Sequence, residues 1–233
     1  MITDSFDIIR TKEGVWVLKE DSHLSRWIEE HGRLDIADGE IAQFAKYIPK
    51  GGVVIDAGAS LGDHTATYAK LVGPSGKVFA FEPNPGLFAC LWRNMEEFRW
   101  VTPLNYALGS LNTKVDFHRE HNAGASYVSP GSGIDPDIMV DVTTLDSLDL
   151  PISRCDFIHL DAEGYEPFIL DGAREFLRKF TPVMLIEVCH SHLQRQAMNE
   201  NSLMLLLDSL HYRVEEIDGT PASEQRDILC LPK

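Results

Sequence analysis

Short apolar runs alternate with amphipathic stretches along the chain from residue 52 onward. The apolar runs predict strands at 53–56, 77–81, 100–105, 156–161 and 183–187. The amphipathic stretches predict helices at 63–72, 85–97, 165–179 and 202–210, and two last strands are predicted at 211–217 and 227–231. Strands that alternate with helices are typical of a parallel sheet with helices on both faces, so the pattern predicts the α/β class.

The first 50 residues follow a different pattern. Residues 14–18 predict a short strand, residues 41–48 have the apolar spacing of a helix, and Pro49-Lys50-Gly51-Gly52 marks a boundary. We therefore predict an N-terminal cap over residues 1–50 and one compact domain over residues 51–233. The cap either covers the substrate or completes the core, and the sequence leaves both open.

The alternation also stops between Gly109 and Leu148. Residues 115–119 and 138–142 predict strands, whereas residues 122–126 and 129–133 are rich in turn-forming residues. A long, glycine-rich excursion in a compact domain is more often an active-site flap than a packed element. We therefore predict a flap that becomes ordered when ligands bind.

Five polar residues stand at the ends of apolar runs. They are Asp56, Glu82, Asn105, Asp161 and Glu187. In an open parallel sheet, ligands bind beyond the carboxyl ends of the strands. The set therefore predicts a ligand site at this edge of the sheet.

The first strand end has the features of a nucleotide-binding corner. Asp56 is followed by Ala-Gly-Ala-Ser-Leu-Gly at 57–62, whose small residues let a ligand approach the backbone before a helix begins. No Gly-Lys-Ser/Thr follows, and Ser60 interrupts the glycine pattern of dinucleotide sites. A carboxylate at Asp56 suits a cationic amine better than a pyrophosphate, and Glu82 suits the two hydroxyls of a ribose. The spacing of these two acids alone does not choose between NAD and S-adenosylmethionine.

Seven short blocks in series resemble the FkbM-type class I methyltransferases. The blocks lie at 55–62, 81–83, 105–109, 142–148, 158–166, 170–173 and 182 with 185–188. The resemblance implies a Rossmann-like, seven-stranded, mostly parallel sheet whose last strand is antiparallel. It also implies S-adenosylmethionine as methyl donor and O-methylation of a hydroxyl on a sugar, a glycolipid or a secondary metabolite. Two positions depart from the family pattern: Ser60, where members often carry Asn, and His159, where they often carry Lys.

The resemblance also implies a set of cofactor-binding residues. Asp56, Gly58, Ala59 and Gly62 would hold the methionine portion, Glu82 the ribose, and Asn105 with Ala107 the adenine edge. His64 and Thr65, which open the helix after Gly62, and Asp161 complete the predicted set.

Methyl transfer to oxygen benefits from a base that accepts the hydroxyl proton. The candidates are His190, Asp161, Glu187 and His159, and we favour His190 because it lies beyond its strand and close to Glu187. His159 precedes its strand end by two positions, which also suits a buried, structural residue. Asp161, Glu187, His190 and His192 are ligand types that metals accept, but a His-x-His pair is a weak signal and we predict no metal.

Composition narrows the class of partner. The net charge of −15 and the lack of a basic cluster argue against a nucleic acid, so the expected partner is a small hydroxylated acceptor. The four cysteines form no Cys-x-x-Cys, and neither a secretory signal nor a membrane span is predicted, which favours the cytoplasm. The sequence leaves a homo-oligomer open. It also leaves two other functions open: a nicotinamide dehydrogenase with an altered fingerprint, and a non-catalytic cofactor-binding subunit.

Overall fold

The predicted alternation of strands and helices is present in the computed structural model, which describes residues 6–19, 21–34, 38–120, 122–128, 138–217 and 224–233. The strands are β1 (Ile8–Arg10), β2 (Trp16–Leu18), β3 (Val53–Ala57), β4 (Lys77–Phe81), β5 (Val101–Leu104), β6 (Ala107–Leu108), β7 (Thr113–His118), β8 (Tyr127–Val128), β9 (Ile138–Thr143), β10 (Phe157–Leu160), β11 (Val183–Cys189), β12 (Tyr212–Glu216) and β13 (Gln225–Pro232). The α-helices are α1 (Leu24–His31), α2 (Asp38–Ile41), α3 (Asp63–Val72), α4 (Pro85–Asn94), α5 (Glu166–Asp171), α6 (Arg174–Phe180), α7 (His190–Arg195) and α8 (Glu200–Ser209). Short 3₁₀ helices cover Ala42–Tyr47, Ala123–Ala125 and Leu145–Ser147.

Seven strands form the central sheet in the order β12-β13-β11-β10-β3-β4-β5. Neighbours from β11 through β5 pair in parallel, whereas β13 is antiparallel to both β11 and β12. The predicted fold class is therefore confirmed, including the antiparallel insertion of the last strand.

Both faces of this sheet are covered, because neighbouring strand residues point to opposite sides. Val53 and Ile55 pack into one apolar cluster that includes Leu177 of α6. Val54 packs into a second cluster with Tyr68 of α3. The carboxyl ends of the strands are consequently held between two apolar layers.

The helix predicted at 165–179 is interrupted at Gly172, which separates α5 from α6. A Cβ at Gly172 would lie 1.9 Å from the Gly109 carbonyl oxygen, so the two backbones are in contact at this point. The Gly172 carbonyl also accepts a hydrogen bond from the Asp146 N–H at 3.1 Å. These tertiary contacts outweigh the helical pattern of the segment.

The excursion after Gly109 forms a second sheet together with β6, which directly precedes Gly109, in the order β6-β9-β7-β8. Val115 and Phe117 of β7 and Val142 of β9 are buried in the same cluster as the central sheet. These strands are a packed element, so the prediction of a flap is wrong for them. The turn predicted at 129–133 lies outside the described residues.

The N-terminal residues pack against the cofactor corner predicted from the sequence. Val17 and Ile28 share a buried cluster with Leu61 and Ala123. Farther along, Phe44 is buried in the cluster of α3 and completes the core of that face. The boundary between residues 50 and 51 stays a prediction. None of the helices that the structure describes has the length and apolarity needed to cross a membrane.

Candidate active site

A cavity of about 330 Å³ lies at the carboxyl ends of β3, β4, β10 and β11. This volume falls within the range typical of small-molecule sites. The strand-end residues that line it are Ala57, Gly58, Phe81, Glu82, Pro83, Asp161, Ala162 and Glu187, and the remainder of the lining includes His23, Leu24, residues 106–108 and residues 122–128. The cavity therefore lies at the edge of the sheet that the polar strand ends predict.

Close contact with the end of β10 makes glycine necessary at position 58. Gly58 has φ +87°, and a Cβ there would lie 1.7 Å from the Asp161 carbonyl oxygen. The N–H groups of Gly58 and Ala59 both donate to the Phe81 carbonyl at 3.0 Å. The turn thereby fixes the ends of three strands relative to one another.

Asp56 lies beneath this turn, outside the cavity lining. Its side chain is completely buried, and its Oδ2 accepts a hydrogen bond from the Thr65 hydroxyl at 2.5 Å. Its Oδ1 lies 3.0 Å from Nδ1 of His159, which is only 3% exposed. These three predicted site residues form an internal network that ties α3 to β3 and β10. The position argues against direct ligand contact by Asp56 or Thr65 and against His159 as a base.

Glu82 lines the cavity with both carboxylate oxygens held in place. They accept hydrogen bonds from the backbone N–H groups of Ser60 at 2.8 Å and Asn84 at 2.7 Å. Burial raises the pKa of Glu82 to about 8, even though these N–H groups favour the charged form. Ionisation of Glu82 therefore costs free energy until a ligand supplies further hydrogen-bond donors.

The two predicted adenine residues differ in position. Asn105 donates from its amide to the carbonyls of Glu82 at 2.8 Å and Pro83 at 3.1 Å, so its side chain fixes the loop after β4. Ala107 lines the cavity together with Tyr106. Of the glycine-turn residues, Gly58 lines the cavity, whereas Ala59 and Gly62 are absent from the lining.

Asp161 and Glu187 are brought together on the cavity wall. Burial raises the pKa of Asp161 well above its usual value, and a hydrogen bond to Glu187 and the charges of Glu187 and Glu163 raise it further. Glu187 also accepts a hydrogen bond from the Gln225 amide. Burial and the neighbouring charges both favour the protonated form of Asp161, so this pair is suited to hold a proton that two solvated carboxylates would lose.

The loop after β10 is shaped by Glu166. Its Oε1 accepts hydrogen bonds from the N–H groups of Ala162 at 2.8 Å and Gly164 at 3.2 Å. Burial raises the pKa of Glu166 to about 7. In the same loop, Oε2 of Glu163 lies 2.9 Å from Nδ1 of His192, but the two groups are not aligned as a hydrogen bond. The nearby Glu163 raises the pKa of His192.

His190 is absent from the cavity lining. It begins α7, and its Nε2 lies 2.8 Å from Oε2 of Glu200, which is also paired with Arg226. This ion-pair network holds the ring outside the cavity lining, so the position does not support the predicted role of His190 as base. Among the residues that the structure describes, no three His, Cys, Asp or Glu side chains converge as a metal site.

Several residues of the cavity lining are not in the predicted set of site residues. Asp63 directly precedes the predicted His64, and Glu163 lies two positions after the predicted Asp161. Closeness in sequence to a predicted residue is therefore the signal that could have identified them. Tyr127 and the residues around it come from the excursion, and no local pattern connected them with the site.

The sequence was compared with family models and with curated proteins. A model of the methyltransferase FkbM domain matches residues 56–214, more than half of the chain. The chain belongs to the FkbM methyltransferase family. This membership confirms the family resemblance and, with it, S-adenosylmethionine as the predicted cofactor. No curated protein matches the chain.

Solved structures share the fold of this FkbM domain at low sequence identity. An FkbM methyltransferase from Methylobacillus flagellatus KT has a TM-score of 0.53 and 19% identity over 78% of this chain and 44% of its own. The chain therefore spans less than half of that protein. A SAM-dependent O-methyltransferase from Thermotoga maritima has a TM-score of 0.51 and 18% identity over 97% of this chain and 77% of its own. A SAM-dependent methyltransferase from Aquifex aeolicus has a TM-score of 0.51 and 12% identity over 88% and 97%.

Proposed function

We propose that this FkbM protein is an S-adenosylmethionine-dependent O-methyltransferase that acts on a hydroxyl group of a small, uncharged acceptor such as a sugar or a secondary metabolite. The observation that carries the proposal is that the corner at Gly58 and Glu82 and the acid pair of Asp161 and Glu187 line one cavity. The cavity thus combines a place for a nucleoside with a group that can accept a proton.

The residues present fit the cofactor. Glu82 offers carboxylate lone pairs to ribose hydroxyls, and its partly protonated state at neutral pH gives way to the charged form when those donors arrive. Gly58 leaves backbone exposed to a ligand, and Tyr106, Ala107 and Leu108 provide a mainly apolar wall for a base. When bound, the cofactor supplies a methyl group on a sulfonium centre.

Asp161 and Glu187 are the base in this proposal. The raised pKa of Asp161 makes its carboxylate a stronger base than a solvated one, which favours acceptance of a hydroxyl proton. The ionised member of the pair would accept the hydroxyl proton as the C–O bond forms and the C–S bond of the sulfonium breaks, and the other member would stabilise the newly protonated acid. Gln225 orients Glu187 through its amide hydrogen bond.

The charge of the cavity favours an acceptor without phosphate groups. Five acidic residues line it, namely Asp63, Glu82, Asp161, Glu163 and Glu187, and its described lining contains no Lys or Arg. The positions outside the described residues hold no Lys or Arg either. Arg195 lies outside the lining, with its guanidinium 3.8 Å from the centre of the Tyr127 ring. A phosphorylated acceptor would approach these acidic groups with no Lys or Arg in the described lining to offset their charge.

Glu82→Gln is expected to weaken S-adenosylmethionine binding by about tenfold to a hundredfold, because the ribose loses hydrogen bonds to a charged acceptor. Titration calorimetry measures the affinity, and Glu96→Gln, on the exposed surface, is the matched control. Because Glu82 also holds two backbone N–H groups, a lower melting temperature is expected as well. Unchanged affinity in a folded Glu82→Gln protein would remove the ribose assignment.

Neutral acceptors are expected to be methylated in preference to their phosphorylated forms. The test measures release of S-adenosylhomocysteine from a panel of free sugars and methyl glycosides, each paired with its sugar phosphate. Mass spectrometry of the product then shows whether oxygen carries the methyl group. Turnover confined to phosphorylated members would contradict the acceptor class, and methylation at nitrogen or carbon would contradict O-transfer.

A further inference from the structure

Two neighbouring side chains of opposite charge type stand at the cavity wall where α3 begins. Asp63 and His64 both line the cavity, and Oδ2 of Asp63 lies 3.1 Å from Nδ1 of His64. Although burial alone would raise the pKa of Asp63, the adjacent His64 lowers it below its usual value. Asp63 is therefore ionised at neutral pH, and its carboxylate lies against the His64 ring.

The amino-acid end of the cofactor carries one ammonium and one carboxylate, and each needs a partner. Asp56, which the sequence suggested for the ammonium, is completely buried and engaged by Thr65 and His159. His23 and His64 are the described lining residues whose side chains can carry positive charge. Of these two, His64 adjoins the Gly58–Gly62 turn, and its ring lies against the Asp63 carboxylate.

We propose that Asp63 and His64 form the subsite for the amino-acid end of the cofactor, with Asp63 accepting from the ammonium and His64 pairing with the carboxylate. The two residues are consecutive at the start of α3, so their opposite charges lie side by side. The ammonium and the carboxylate of the cofactor also lie side by side, and each meets the residue of opposite charge. Backbone N–H groups in the first turn of α3 add favourable charge for the carboxylate. In this assignment the cofactor ammonium binds Asp63 and not Asp56, which the sequence pattern suggested.

This proposal rests on the proposed function, and a set of ligands separates the two. S-adenosylhomocysteine carries both charges, its decarboxylated form keeps only the ammonium, and 5′-methylthioadenosine lacks both while retaining the ribose and the base. Titration calorimetry gives the affinity of each ligand for the wild-type protein, His64→Gln and Asp63→Asn. Binding is thus measured without any methyl transfer.

His64→Gln is expected to weaken S-adenosylhomocysteine by about tenfold to a hundredfold, the scale of a lost charged hydrogen bond, and to leave 5′-methylthioadenosine within about twofold. The affinity of the decarboxylated ligand for wild type should be about as low as that of S-adenosylhomocysteine for His64→Gln. The His64→Gln substitution should not lower the affinity of the decarboxylated ligand further. Asp63→Asn should weaken both ammonium-bearing ligands and spare 5′-methylthioadenosine. Glu82→Gln is the control that should weaken all three, because all three carry the ribose.

Several results would overturn the assignment. Equal weakening of every ligand by His64→Gln would show a structural role, and a selective loss in His23→Gln instead would move the carboxylate to that residue. If a variant fails to fold, the wild-type comparison of S-adenosylhomocysteine with its decarboxylated form still decides, because equal affinities would show that no group pairs with the carboxylate. Failure of wild type to bind S-adenosylhomocysteine would instead reject the proposed function.

Discussion

Asp161→Asn is expected to lower kcat by about 100-fold or more while S-adenosylmethionine affinity stays within a few-fold of wild type. An amide cannot accept the hydroxyl proton, and loss of a positioned general base typically costs this much. Glu187→Gln should produce a similar loss, because the charge of Glu187 raises the pKa of Asp161 and the two carboxyls therefore act as a unit. Single-turnover rates at saturating cofactor and acceptor provide the measurement.

The matched control for this prediction lies at the other end of the same strand. Asp156 directly precedes β10 and accepts a hydrogen bond from the Val53 N–H at 2.8 Å, far along the strand from the cavity. Asp156→Asn should reduce stability and leave kcat unchanged. Full turnover by Asp161→Asn and by Glu187→Gln would show that positioning alone accounts for catalysis.

The raised pKa of Asp161 gives activity and stability opposite dependences on pH. The base works when deprotonated, so kcat should rise as the pH rises through the pKa of the folded enzyme. The folded pKa of Asp161 lies above the unfolded value of about 3.9. The contribution of this carboxyl to the free energy of unfolding is therefore fully present below the unfolded pKa. It is lost as the pH rises through the folded pKa. Asp161→Asn should therefore lose less stability than wild type as the pH rises from the unfolded value of about 3.9 through the folded pKa, measured by thermal unfolding.

Local patterns predicted the main sheet well because its strands obey local rules. The strand at 77–81 and the helix at 63–72 have the predicted bounds, since apolar runs and helical spacing define them directly. The second sheet pairs β7 with β9 across a long stretch of chain, and such non-local pairing leaves little trace in a short window. Its glycine-rich connections therefore predict a flap, although the strands that they join are packed.

In the candidate site, the sequence predicts which residues end the strands but not which of their side chains face the cavity. Asp56 and Asp161 both end apolar runs, but only Asp161 reaches the cavity because Thr65 and His159 cover Asp56. His190 lies three positions after Glu187, yet β11 continues to Cys189 and His190 opens α7, where Glu200 pairs with its ring. Sequence spacing locates the edge of the sheet, whereas the packing of neighbouring elements decides which side chains face the ligand.

Gly58→Ala is expected to destabilise the protein by about 4 kcal/mol or more and to abolish cofactor binding in whatever fraction folds. The new Cβ would lie 1.7 Å from the Asp161 carbonyl oxygen, and a backbone atom of a central strand end cannot rotate away as a flexible side chain can. Separating the strand ends would displace both the turn and Asp161, which are the two parts of the site that must act together.

Gly73→Ala is the control that measures the cost of backbone strain without a steric contact. Gly73 also has a positive φ, +66°, but a Cβ there has no neighbour within 4 Å. Its replacement should therefore cost only the strain of about 1 to 3 kcal/mol and leave cofactor affinity unchanged. Denaturant unfolding of the two variants measures the difference, together with calorimetry for the cofactor. Equal destabilisation by both substitutions would mean that β3 and β10 can separate at little cost, and the rigid corner that joins the cofactor turn to the acid pair would have to be abandoned.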